Sequence, residues 1–153
     1  MRLHLDCSAG MSGNMLLGLC LNLGAPWEEL KQFIDSLSLG EFDIQYEKVD
    51  KKGVVASYFD ICLVDKETKS RFLPEIIGII NGCSASNEVK KRACSVFRRL
   101  AVAEGKVHDI DENEVHFHEV GAVDAIIDIL GSCWCLEKLG VTSVSADSLY
   151  VGR

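Results

Sequence analysis

Two stretches of strict alternation, joined by a turn and bracketed by helical stripes, constrain this chain more than any other feature. Phe42, Ile44 and Tyr46 alternate with Asp43, Gln45 and Glu47, which is the period of a half-buried strand. Phe59, Ile61 and Leu63 resume that period beyond Asp50-Lys51-Lys52-Gly53, so the pattern predicts a β-hairpin. On either side the period changes. A helix is expected from about Asn14 to Leu23, stopped by Gly24 as a left-handed cap. A second follows Pro26, with Trp27, Leu30, Phe33, Ile34 and Leu37 on one stripe. After the hairpin, Pro74 to Asn81 reads as a short helix ended by Gly82. Ser86 is placed to cap a long helix whose inner stripe is Val89, Ala93, Val96, Phe97, Leu100 and Ala103. An apolar helix is expected from about Val120 to Leu139, ended by Gly140.

Leu3 to Leu5 and Val144 to Tyr150 complete the set as candidate strands, and Asp65 to Phe72 reads as a polar loop. Together these elements predict an α+β fold in which a small mixed β-sheet, including the hairpin, is covered by several helices. The 153 residues fit one domain, since chains of about this length hide roughly two thirds of their unfolded surface. No repeat, linker or low-complexity tract divides them.

Charge and cysteines narrow the class further. Sixteen Lys and Arg against 23 Asp and Glu leave a net charge of −7, which opposes phosphate-backbone binding and so a nucleic-acid partner. Lys90, Lys91, Arg92, Arg98 and Arg99 on the long helix therefore read as a solvated face. The apolar run Met15 to Leu21 is far shorter than the ~20 residues of a membrane span. It is preceded by Asp6 and lacks the cleavage site of a signal peptide. Seven cysteines without C-x-x-C spacing suit reduced thiols and a cytoplasmic protein. Cys133 and Cys135, two apart on a helix, point about 200° apart and do not chelate together. A mean hydropathy of +0.14 leaves apolar surface to meet a partner, a further part of the chain or a second copy, so a homo-oligomer is expected.

The strongest chemical feature is H-x-H-E at His116, His118 and Glu119. Three of the four histidines, His108 among them, fall between positions 108 and 118, beside Asp109, Asp111, Glu112 and Glu114. In an extended backbone residues i and i+2 face one side, so both imidazoles can reach one ion while Phe117 turns into the core. Glu119 then sits near the start of the next helix, where its charge suits the dipole. Imidazole with carboxylate fits nickel, zinc, copper or iron without choosing among them. The alternative is a pair of ordinary histidines stabilised by neighbouring acids. Asp124 and Asp128, four apart on the following helix, share a face and could orient the histidines, or form a solvent stripe. Glu104 and His108 have the same spacing.

A second feature is the loop from Ser8 to Asn14, between a strand and a helix. Backbone N–H groups at Ser8, Gly10, Ser12 and Gly13, aided by the helix dipole, suit a phosphate. The loop carries neither phosphate-binding glycine signature nor a lysine; a tight small-residue turn is the alternative.

D-C-x-x-G-x-S-G-x-M at positions 6–15 and V-H-F-H-E-V-G-A-V-D at 115–124 resemble the LarC family of nickel insertion proteins. The likeness extends to F-R-R-L-A-x-A-E-x-K-V-H at 97–108 and the closing L-Y-V-G-R. It implies CTP-dependent insertion of nickel into the pyridinium bis-thiocarboxylate mononucleotide, forming the nickel-pincer cofactor. On that resemblance His116, His118 and Glu119 bind or hand over Ni(II), with His108 as a further ligand and Asp124 behind them. Glu119 and His118 are also the candidate bases for the ring proton, and the Ser8–Gly13 loop holds the nucleotide's phosphate. Three departures stand out. Family members extend to more than twice this length, and the C-terminal portion associated with CTP and its divalent metal is not in this sequence. That portion is therefore an expected partner. Many members carry a histidine-rich loop after the hairpin, where this chain has Asp65-Lys66-Glu67-Thr68-Lys69-Ser70-Arg71. Asn14 also stands where an aspartate is common. The other readings are a non-catalytic nickel-binding or assembly module for a separate nucleotide-using subunit, and a generic metal-dependent hydrolase.

Overall fold

The computed structural model describes residues 1–63, 70–117 and 121–149. In chain order these form β1 (Arg2–Leu5), α1 (Gly13–Asn22), α2 (Trp27–Asp35), β2 (Phe42–Lys51), β3 (Val54–Leu63), β4 (Arg71–Phe72), α3 (Leu73–Gly82), α4 (Asn87–His108), β5 (His116–Phe117), α5 (Val123–Lys138) and β6 (Ser143–Ala146). The α+β class is as expected. The single mixed sheet is not: the described strands form three separate two-stranded ladders, β1 with β6, β2 with β3 and β4 with β5.

The hairpin follows from its sequence. Lys51 pairs with Val54, leaving Lys52 (φ 58°) and Gly53 (φ 85°) as the two turn residues. Both left-handed, they form the turn whose twist matches the strands. Trp27 packs its ring 5.1 Å from that of Tyr46 and 6.3 Å from that of Phe59, which docks α2 on the hairpin. Gly18 of α1 lies so close to β3 that a Cβ there would stand 2.8 Å from the Ser57 carbonyl oxygen.

Gly24 and Gly140 end their helices as predicted, whereas α3 runs through Gly82 to a cap at Cys83. At Gly24 (φ 102°) the chain leaves α1 with Ala25 N–H donating to the Cys20 carbonyl and Gly24 N–H to that of Leu21. Gly140 closes α5 with the same pair of bonds, from Val141 to Leu136 and from Gly140 to Glu137. Ser86 caps α4 as expected, its Oγ accepting from Val89 N–H at 3.1 Å while donating to Glu137 at 2.6 Å. The inner face of α4 is Val89, Ala93, Cys94, Phe97, Ala101 and Gly105. Val96 and Ala103, expected on that stripe, are exposed.

α5 is the axis of the core. Ile126, Ile127, Leu130 and Cys135 are fully buried, each such aliphatic side chain contributing roughly 1.5–3 kcal/mol by leaving water. Phe33 of α2 stacks on Trp134 at 5.6 Å. Against α1, the Cys20 and Cys135 thiols share a hydrogen bond that with burial raises the Cys135 thiol. All seven cysteines are free thiols.

Candidate functional site

β5 carries the one described member of the H-x-H-E set. Val115 and Phe117 are buried and His116 between them is exposed, the alternation of an extended backbone. Phe117 therefore enters the core as the spacing predicts. Facing β5, Phe72 pairs with His116 and Arg71 with Phe117. The Phe72 and His116 rings stack at 4.6 Å, 23° from parallel, so the imidazole is packed on one face and set in orientation. His118 and Glu119 lie outside the described residues, and so does the geometry of the pair.

Arg71 anchors this ladder. It is 7% exposed, and its Nη1 donates to the Gly121 carbonyl at 2.5 Å. A guanidinium so buried needs acceptors. Gly121 in turn presses on β5: a Cβ there would lie 2.6 Å from the Phe117 carbonyl oxygen and 3.0 Å from Arg71 N. The residues on either side of positions 118–120 are thus held against each other. Arg71 and Phe72 lie at the end of the stretch expected to be a polar loop, and no sequence pattern marked them as a strand.

The remaining candidates lie apart. His108 is exposed in the last turn of α4, 3.4 Å from Glu104, at the helix end where a basic side chain suits the dipole. Asp124 is exposed at the first turn of α5, its Oδ1 accepting from Ala125 N–H at 2.9 Å. Among the described residues no three His, Cys, Asp or Glu side chains are arranged to hold a metal ion. His108, His116 and Asp124 accordingly form no trio.

Asp128 is found beneath the start of α1. It accepts from Asn14 N–H, and its carboxyl occupies the space a Gly13 side chain would need. Its Oδ1 is buried without a described partner. Burial, then the charges of Asp124 and Asp60, outweigh the Asn14 hydrogen bond and push its pKa up to about 6.

The Ser8–Gly13 loop begins at Asp6, whose Oδ1 accepts from Ser8 N–H at 3.0 Å and whose pKa that bond lowers. Cys7 is buried, and Gly10 (φ 83°) folds back to donate to its carbonyl at 3.0 Å. Ser12 Oγ donates to Asn14 Oδ1 rather than capping the helix. A phosphate held at Ser8, Gly10, Ser12 and Gly13 would therefore meet a helix end already facing the Asp128 carboxyl. Deprotonated, that carboxyl repels an anion; protonated, it does not.

A groove of about 540 Å³ runs between α1 and the hairpin, lined by Asn14, Met15, Gly18, Asn22, Lys51 and Tyr58 among others. Lys48 Nζ bridges Asn22 Oδ1 and Ser57 Oγ at 2.5 and 2.7 Å. Tyr58 donates to Asp60 at 2.8 Å, which raises its hydroxyl's pKa. The volume is that of a small-molecule site, and no sequence motif indicated it. No helix among the described residues is long and apolar enough to cross a membrane.

Comparison with known proteins bears on this arrangement. The model of the nickel insertion protein family matches residues 3–153. A relative in Pelobacter propionicus is 41% identical over 152 residues, covering 98% of this chain and 38% of its own length. The pyridinium-3,5-bisthiocarboxylic acid mononucleotide nickel insertion protein of Staphylococcus saprophyticus is 39% identical, covering 99% and 38%. That of Geobacillus kaustophilus is 36% identical, covering 99% and 39%. The chain thus spans about two fifths of the length of these curated relatives. No solved structure matches it.

Proposed function

This chain belongs to the nickel insertion protein family, and on that premise we propose that it handles nickel and substrate in forming the nickel-pincer cofactor. The substrate is the pyridinium bis-thiocarboxylate mononucleotide named for its relatives. His116, His118 and Glu119 bind Ni(II) as cargo and pass it on, with His108 as an auxiliary ligand and Asp124 behind them. Glu119 or His118 takes the ring proton as the carbon–nickel bond forms, so the two-electron donor is the ring carbon and nickel keeps its oxidation state. Such a base must come within hydrogen-bond reach of that proton. Ser8, Gly10, Ser12 and Gly13 hold the phosphate. CTP and its divalent metal act on polypeptide beyond the matched region, which makes the chain one part of a nickel-insertion cyclometallase, a lyase or chelatase. It works in the cytoplasm, with thiols reduced, and self-associates.

The observation that carries this reading is the alternation at Val115, His116 and Phe117. It sets the backbone so that the imidazole faces out while the strand stays anchored. Titration with Ni(II) tests it: His116→Ala and His118→Ala should each lose at least tenfold in affinity, since each removes one donor. Affinity unchanged in both would overturn the ligand assignment. Acidification should weaken binding, because ligation needs deprotonated donors.

The relatives' greater length favours one second reading, a nickel-binding or assembly module without turnover of its own. Product formed by the isolated chain with CTP and the nickel-free mononucleotide would exclude it. Product formed only on adding the rest of a relative would support it.

A further inference from the structure

The ladder of β1 and β6 is built differently from the other two. It is parallel, with Leu3 opposite Val144 and Leu5 opposite Ala146, so these four share one face. Arg2, His4, Ser143 and Ser145 share the other. That polar face is closed by its own side chains: His4 Nδ1 lies 3.0 Å from Ser145 Oγ, and Nε2 lies 3.4 Å from Asp147 Oδ2. The ladder is also firmly held. The Met1 ammonium donates to Gly140 O at 2.7 Å, Thr142 N–H to Met1 O at 2.8 Å, and Asp147 N–H to Leu5 O at 3.1 Å.

Its apolar face has no such closure among the described residues. On it Val144 is 48% exposed and Ala146 is exposed, Leu3 and Leu5 are half-buried, and among the described residues none of Leu3, Leu5 and Val144 packs against the core. Parallel strands occur almost only in sheets covered on both faces, and an isolated two-stranded ladder is marginal in water. Each strand also keeps an open edge among the described residues, which is a template for another strand.

We propose that this face and edge receive a strand-bearing segment of the polypeptide that the relatives carry outside the matched region, making β1 and β6 part of a larger sheet. The proposal rests on the reading that this chain works with that remainder, some three fifths of a relative's length. A second copy is the poorer occupant. Pairing of this ladder with its own copy would join only strands of four residues, far short by themselves of the roughly 20–30 residues a side of a stable interface. A long partner can add further contacts or a tether, so the sheet need not supply the affinity alone.

The test uses this chain together with a probe, the part of the Pelobacter propionicus relative outside the matched region, expressed separately. Hydrogen exchange should slow at least tenfold at the amides of residues 2–5 and 143–146 when the probe is added. Val144→Lys should weaken probe binding at least tenfold, while Val54→Lys, at a more exposed valine of the hairpin, should leave it unchanged. Absence of that protection overturns the proposal, as does full-strength binding by Val144→Lys. Protection produced by raising the concentration of this chain alone overturns it too, in favour of a dimer. Nickel titration, run apart, reports on the proposed function, so either idea can fail without the other.

Discussion

The hairpin and the β4–β5 ladder are both antiparallel, yet they are held by different physics. In the hairpin ten residue pairs follow from one turn, and the closing positions are adjacent in sequence. The β4–β5 ladder has two pairs, Arg71 with Phe117 and Phe72 with His116. More than forty residues separate its strands, so the cost of loop closure falls on very few hydrogen bonds. A buried guanidinium and a glycine at van der Waals limit supply what the ladder cannot. The strand bearing His116 therefore depends on side-chain contacts from elsewhere, while the hairpin depends mainly on itself.

Replacing Gly121 should break that dependence most severely. In Gly121→Ala the new methyl would stand 2.6 Å from the Phe117 carbonyl, backbone that cannot swing aside. A loss of about 3 kcal/mol, the upper part of the range for overpacking, is expected in urea unfolding, together with weakened Ni(II) binding. Arg71→Met comes next. It keeps the aliphatic stem but orphans the Gly121 carbonyl, at a cost of about 2 kcal/mol. Wild-type stability in that variant would show that the ladder needs no anchor.

Asp128 with Asn14 is another distant contact, and its charge makes it testable by pH. Its folded pKa, about 6, lies above the 3.8 of the free group. The folded state therefore binds more protons between those values, and Asp128 destabilises progressively as pH rises through them. Because the carboxyl is partly solvated, the full shift overstates the energy, and about 1–2 kcal/mol remains after screening. Asp128→Asn should be more stable than wild type by that amount at pH 8, with the difference vanishing below pH 4. A pH-independent difference would mean that the carboxyl is no more stable protonated in the fold than out of it.

The same contrast separates what was legible in the sequence from what was not. Alternation, the Asp50–Gly53 turn, the Gly24 and Gly140 terminators and the Ser86 cap all act within a few residues, and each stands where its local pattern put it, except that the turn narrows to Lys52 and Gly53 as Lys51 pairs with Val54. β4 was lost inside a polar run because two residues carry no period. The expected single sheet dissolved into three ladders for the same reason: short strands do not state their partners. Asp128 showed its helix face but not its neighbours, Gly13 and Asn14, which lie more than a hundred positions away. Val96 and Ala103 satisfied a helical period yet face solvent, since a 22-residue helix is covered on only part of its surface. For the site, His116 and its inward neighbour Phe117 were legible from alternation. Arg71, which supports them, was not.

Gly53→Ala gives the smallest expected effect and the sharpest control. At φ 85° an alanine is strained by about 1 kcal/mol, but nothing lies within 4 Å of its Cβ. The variant therefore loosens the turn without displacing a neighbour. Since the strands are long and β3 is packed by α1 and Trp27, the loss should stay local. Amide exchange should quicken near residues 50–55, global stability should fall by no more than that 1 kcal/mol, and Ni(II) affinity should be unchanged. If affinity fell as far as in Gly121→Ala, the two ladders would be coupled, and the self-sufficiency of the hairpin would have to be abandoned.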